Sequence, residues 1–245
     1  MGRDFSALDR FGHREYLFAQ ADSYDLVRHH YPRLSGGACI GVALNWIKEK
    51  LTTSHGLFRE NGLLSRSLPG SQRNSFSHSM NPLRRMTGKS ATHNQAAMLS
   101  GAMVQTAYYT LNNDASAVAS ELGLIKGEYS PQAKIVKGEA PSHLPERLHA
   151  ESVAEAAAHL PRGVAILVDL KPTQGNGGGH SIAFYRSRGD TLYFFDPNAG
   201  VYTIPNARNI LPFIEAWLNV YLKIDGITWI TQPDDWCLSF LHTRR

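Results

Sequence analysis

Between Ala38 and Leu51, apolar residues fall at Ile40, Ala43, Leu44, Ile47 and Leu51, the three-to-four spacing that lines one face of a helix. Lys48, Glu49 and Lys50 close that segment, and the breakers from Pro32 to Gly37 predict a turn before it. Cys39 is thereby placed in the first turn of a helix. A second, Ala- and Met-rich helix is expected from Thr92 to Leu111, and a short one from Ala115 to Ile125. Ser152-Val-Ala-Glu155 has capping-box spacing and predicts a helix start, with Leu160 as its last residue before Pro161 and Gly163. The period then changes. Val164–Leu170, His180–Arg186, Thr191–Phe195 and Val201–Ile204 are short β-rich runs separated by Gly, Asp, Asn and Pro, which predicts an antiparallel meander. A helix from Ile210 to Leu222 and strands at Gly226–Thr231 and Trp236–Leu241 complete the reading. Helices first and sheet second predict an α+β fold, a helical lobe packed on an antiparallel β-sheet with the active site in a cleft between them.

Composition narrows the class. With 245 residues, 42% of them apolar, the chain suffices for one sizeable core or for two lobes, and the expectation is a single catalytic domain over 1–245. Residues 1–35 form an aromatic N-terminal segment. Residues 52–90 carry six basic side chains against the single acid Glu60 and read as a basic loop or insertion. No apolar run is long enough to span a bilayer, and the first residues lack the apolar stretch of a secretory signal, so a soluble chain exported without a cleavable signal is expected. Two cysteines, Cys39 and Cys237, exclude a disulfide scaffold, and no paired Cys-x-x-Cys element suggests zinc. The net charge of +4 suits an anionic membrane surface as a partner, while no nucleic-acid-binding signature accompanies it. Gly2 and Ser6 match a bare acylation pattern in which Arg3 and Asp4 are poor context.

The candidate chemistry centres on three residues. A thiolate is the nucleophilic form of cysteine, and a helix N-terminus favours negative charge, which Gly36-Gly37-Ala38-Cys39 would provide. The bland alternative is a small buried hydrophobe. Of the eleven histidines, His180 stands out because Gly175 to Gly179 deliver it to the start of a strand with no bulky neighbour before it. His13, His29, His30 and His143 have no such setting and read as surface or partly buried residues. Asp196 ends the apolar run Leu192–Phe195, so a hairpin from the His180 strand would bring it beside the imidazole as its orienting acceptor. Asp-Pro-Asn-Ala-Gly is also a turn sequence, and both roles are compatible. His180 follows Cys39 by 141 residues, inside the separation seen in papain-like enzymes. Trp46 and Trp217, at helical positions, read as core.

The blocks Gly37-Ala-Cys39-Ile-Gly-Val-Ala-Leu-Asn-Trp46, Gly179-His180-Ser-Ile-Ala183 and Phe195-Asp196-Pro-Asn198-Ala-Gly200 resemble the three motif blocks of the YopT/AvrPphB family of bacterial effector cysteine proteases. The resemblance implies a papain-like fold, a Cys39–His180–Asp196 triad working through a thioester, and no metal or cofactor. It further implies a virulence effector or toxin of the type III or a related secreted kind, cleaving a host-cell protein in the host cytoplasm or at the inner face of a membrane. One departure concerns the oxyanion hole. The Cys39 backbone N–H is one donor, but residues 21–38 hold no Gln or Asn to be the second; Gln20 is the nearest amide, with His30 or Ser35 as substitutes. Two rivals remain: a glutamine deamidase or transglutaminase with the same triad, and a non-enzymatic module binding through the basic segment. Substrate and oligomeric state are not legible.

Overall fold

The computed structural model describes residues 3–34, 37–52, 93–111, 115–122, 124–126, 150–172, 179–225, 229–230 and 238–243. In chain order the elements are β1 (His13–Tyr16), α1 (Tyr24–His30), α2 (Cys39–Thr52), α3 (His93–Thr110), α4 (Ala115–Glu121), β2 (Leu124–Lys126), α5 (Ala150–Ala158), β3 (Val164–Pro172), β4 (His180–Arg186), β5 (Leu192–Asp196), β6 (Gly200–Ile204), α6 (Ile210–Asp225), β7 (Trp229–Ile230) and β8 (Leu238–Thr243). The chain divides into two compact units. One comprises Met1–Phe18 and Gly127–Phe240, the other Ala19–Lys126 and Leu241–Arg245.

In the first unit β3 to β6 form the expected meander, every neighbouring pair antiparallel, and β1 adds to its edge on β6. Alternation along each strand decides what faces the core. Ile166, Val168 and Leu170 of β3, Ile182 and Phe184 of β4, Phe194 of β5 and Tyr202 and Ile204 of β6 share one core with Val153, Ala157 and Leu160 beside α5 and with Phe213, Ile214, Trp217 and Tyr221 of α6. His180 pairs with Leu170 in register and continues the Phe184–Ile182 face by one more step of two residues. Its position is therefore the polar end of an apolar stripe. On the opposite face Phe18 meets Phe195 edge-on, with ring centroids 5.9 Å apart. Pro212 falls in the first turn of α6, where a backbone N–H has no helical partner to lose.

The second unit is built on α2, which is buried on nearly every side from Cys39 to Ile47, as a central helix must be. It runs close against α3. A Cβ at Gly41 would collide with the Gly101 carbonyl oxygen, and the Asn45 amide donates to Ser100 Oγ at 2.8 Å. β2 pairs antiparallel with the end of β8, Leu124 opposite Thr243.

Several boundaries differ from expectation by a few residues, those of α4 and α5 among them. The third helix ends at Glu121 and Ile125 lies in β2, because pairing with His242 outweighs helix propensity in so short a stretch. The helix expected to start at Ser152 starts at Ala150, with Glu151 in its first turn, so position 152 falls inside the helix. The described edge strand β1 had no counterpart in the sequence reading. Residues 53–90, the Gly175–Gly178 run, Ser35, His143 and Cys237 lie outside the described residues.

Candidate active site

Asp196 is the last residue of β5, and its own turn holds it. The Ala199 N–H donates to the Asp196 carbonyl at 3.0 Å and the Asn198 N–H to the carboxylate Oδ1 at 2.7 Å. Pairing of Ala183 with Phe195 sets the ends of β4 and β5 side by side, which brings Asp196 to the imidazole 16 residues before it. His180 Nε2 lies 2.8 Å from Asp196 Oδ1. Turn former and imidazole partner are thus the same side chain, the two roles that the sequence made compatible.

Both groups are deeply buried, His180 at 4% exposure and Asp196 at 0%. Buried charge needs partners. The second carboxylate oxygen, Oδ2, accepts from the Trp217 indole N–H at 2.6 Å and from the Tyr221 hydroxyl at 2.9 Å. Tyr221 Oη is also 3.1 Å from His180 Nε2 and accepts from the Asn198 amide at 2.9 Å. The Trp217 ring lies nearly parallel to the imidazole, at 17° with centroids 6.5 Å apart.

Cys39, in the second unit, is the first residue of α2 and is buried. The preceding backbone is organised by side chains. Ala38 N–H donates to Gln20 Oε1 at 3.4 Å, the Val42 N–H to the Ala38 carbonyl at 2.9 Å, and the Gly41 N–H to Gln105 Oε1 at 3.1 Å. Gly37 is required here: its φ is +100°, and a Cβ would come within 3.1 Å of Gln20 Oε1 and 3.3 Å of the Tyr24 hydroxyl.

The family model for Peptidase_C58, described as Yersinia/Haemophilus virulence surface antigen, matches residues 7–223 of this chain. The chain belongs to the Peptidase_C58 family. This is the YopT/AvrPphB family that the motif blocks resembled, and it makes the protein a cysteine peptidase of papain-like α+β fold and of the virulence effector class. No curated protein matches the chain. Among solved structures, the avirulence protein AvrPphB of Pseudomonas is 14% identical, with a TM-score of 0.48 over 96% of this chain and 100% of that one. The YopT domain of the Pasteurella multocida PfhB2 toxin is 17% identical, with a TM-score of 0.27 over 90% and 91%.

Electrostatically, this family member holds Asp196 as an anion. Burial alone would raise its carboxyl, yet the charge of His180 and the bonds from His180, Trp217 and the Asn198 N–H outweigh burial and hold it below the ordinary carboxylate range. Burial, reinforced by the Asp196 charge, pushes the Tyr221 phenol well above its ordinary value, so it remains a neutral donor. The sequence reading expected Asp196 beside the His180 imidazole, where it lies, but did not foresee Trp217, Tyr221 and Asn198 as their partners. Trp217 and Tyr221 are four apart on one helix, a spacing that signals a shared face and nothing about polar ends. His13 and His29 are exposed and His30 is half-buried, as their settings suggested. Trp46 is buried in the second unit.

Proposed function

We propose that the protein is an endopeptidase that cleaves a host-cell protein through a thioester acyl-enzyme on Cys39, with residues 1–245 acting as one catalytic domain. The observation that supports it most is the buried His180–Asp196 pair, with the carboxylate in contact with imidazole Nε2. With Nε2 turned to Asp196, Nδ1 is the nitrogen that takes the thiol proton. Cys39 Sγ then attacks the scissile carbonyl carbon and Asp196 stabilises the imidazolium. As the C–N bond breaks, the leaving amine takes the proton from Nδ1. Water next attacks the thioester, giving its proton to the same nitrogen, and the acid product leaves as the thiol is restored. The Cys39 N–H is one oxyanion donor. Gln20 is the candidate for the second, because its buried amide accepts the Ala38 N–H through Oε1, one residue before the nucleophile.

Family membership supports a secreted effector acting inside a host cell, and the net charge of +4 supports work at an anionic membrane face. The test compares host-cell lysate treated with native protein and with Cys39→Ser. New protein N-termini are expected with the native protein alone. Ammonia release from glutamine side chains without chain cleavage would overturn the peptidase reading in favour of a deamidase. Labelling of Cys237 rather than Cys39 by a limiting dose of iodoacetamide would overturn the nucleophile.

A further inference from the structure

We propose that Trp217 and Tyr221, one turn apart on α6, are positioning residues that lock Asp196 in place and fix the proton of the neutral His180 imidazole on Nε2. The inference rests on His180 and Asp196 being the working pair. A carboxylate has about four lone-pair sites, and four donors occupy them here. Oδ1 takes His180 Nε2 and the Asn198 N–H, and Oδ2 takes the Trp217 indole and the Tyr221 hydroxyl. A proton on Asp196 would displace at least one of them, and rotation of the carboxylate would disturb all four.

The Asp196 anion calls for a proton on Nε2, and the single hydroxyl proton of Tyr221 reinforces that choice. That proton goes to Asp196 Oδ2, so toward the imidazole Tyr221 can only accept, as it also does from the Asn198 amide. His180 Nε2 therefore faces two acceptors, Asp196 Oδ1 at 2.8 Å and Tyr221 Oη at 3.1 Å. A bare Nε2 would set its lone pair against the Asp196 oxygen or draw the Tyr221 proton away from Oδ2, in a buried site where either is costly. The proton belongs on Nε2, and Nδ1 is the basic nitrogen before any substrate arrives. Trp217 adds the second donor to Oδ2 and a ring nearly parallel to the imidazole, while Arg3 covers the Tyr221 ring with its guanidinium 4.9 Å from the centroid.

The experiment needs no substrate. Nitrogen-15 NMR of the neutral His180 ring in the full-length native protein reads the tautomer, and iodoacetamide alkylation of Cys39 across pH reads the base. The native protein should show the Nε2–H form; the Nδ1–H form would overturn the inference without recourse to any variant. Tyr221→Phe, which keeps the ring, should give mixed tautomers and slow alkylation at mildly acid pH by about tenfold. Trp217→Phe should slow it similarly. In an Asp196→Asn background Tyr221→Phe should cost nothing further, because its effect passes through the pair. Native-like alkylation and tautomer in Tyr221→Phe, or losses that multiply in the Asp196→Asn background, would overturn it. His180→Ala separates this from the underlying reading: an unchanged alkylation profile there sinks His180 as the base, whereas the tautomer result bears on Trp217 and Tyr221 alone.

Discussion

At the scale of single residues, the site turns on how many donors one carboxylate receives. Asp196→Asn is nearly isosteric, but either orientation of the amide sets its NH2 against two N–H or O–H donors, because both oxygens of Asp196 already take two. We expect Asp196→Asn to lower turnover by about three to four orders of magnitude, as the wrong tautomer does in a catalytic triad. It should also lower the melting temperature, since a buried donor without an acceptor costs about 1–3 kcal/mol. Cys39→Ala should abolish turnover while moving the melting temperature little, because it exchanges one small buried side chain for another. Paired measurement of rate and melting curve tells the two variants apart. An Asp196→Asn protein with native turnover would reduce Asp196 to a turn former.

Among the elements, the α2–α3 contact is the one that a single methyl group tests. Replacing a glycine within a helix by alanine ordinarily stabilises, by about 0.5–1 kcal/mol in mid-helix and by less in a first turn such as the one that holds Gly41. At Gly41 the added Cβ meets the Gly101 carbonyl oxygen, which is backbone and cannot swing aside, and it also approaches the Gln105 backbone nitrogen at 2.7 Å. Overpacking of this kind costs about 1–3 kcal/mol. Gly41→Ala should therefore be destabilising on balance in denaturant melts, and it should impair activity because Cys39 lies half a turn away on the same helix. A stabilised Gly41→Ala protein would mean that the helices part readily. The α2 helix was legible from its spacing of Ile40, Ala43, Leu44 and Ile47, and β3 to β6 from their β-rich runs. β1 was not: His13-Arg-Glu-Tyr16 has no apolar alternation, and its pairing with β6 is what makes it a strand.

For the molecule as a whole, two buried carboxyls set opposite limits on pH stability. Asp196 has its folded value depressed, so its contribution is complete above the unfolded value near 3.8 and is lost as pH falls through the folded value. Glu49, buried on α2, is pushed up to about 7 by burial, against the partial relief of the Lys50 charge. Between about 4.5 and 7 the native state therefore binds more protons than the unfolded state, and stability falls as pH rises through that window. The full effect is on the order of 3 kcal/mol. Glu49→Gln should raise stability at pH 8 and alter it much less near pH 5, as measured by urea melts at both values; equal shifts at both would remove Glu49 as the cause. The order of helices and strands, the meander and the His180–Asp196 spacing were determined by the sequence itself, because periodicity and turn residues act locally and a hairpin joins only neighbours. The edge strand, the approach of α2 to α3 and the four donors on Asp196 were decided by tertiary structure alone. Trp217 and Tyr221 look like core residues in any linear reading, and only the packing of α6 on the sheet turns their polar ends onto a carboxylate.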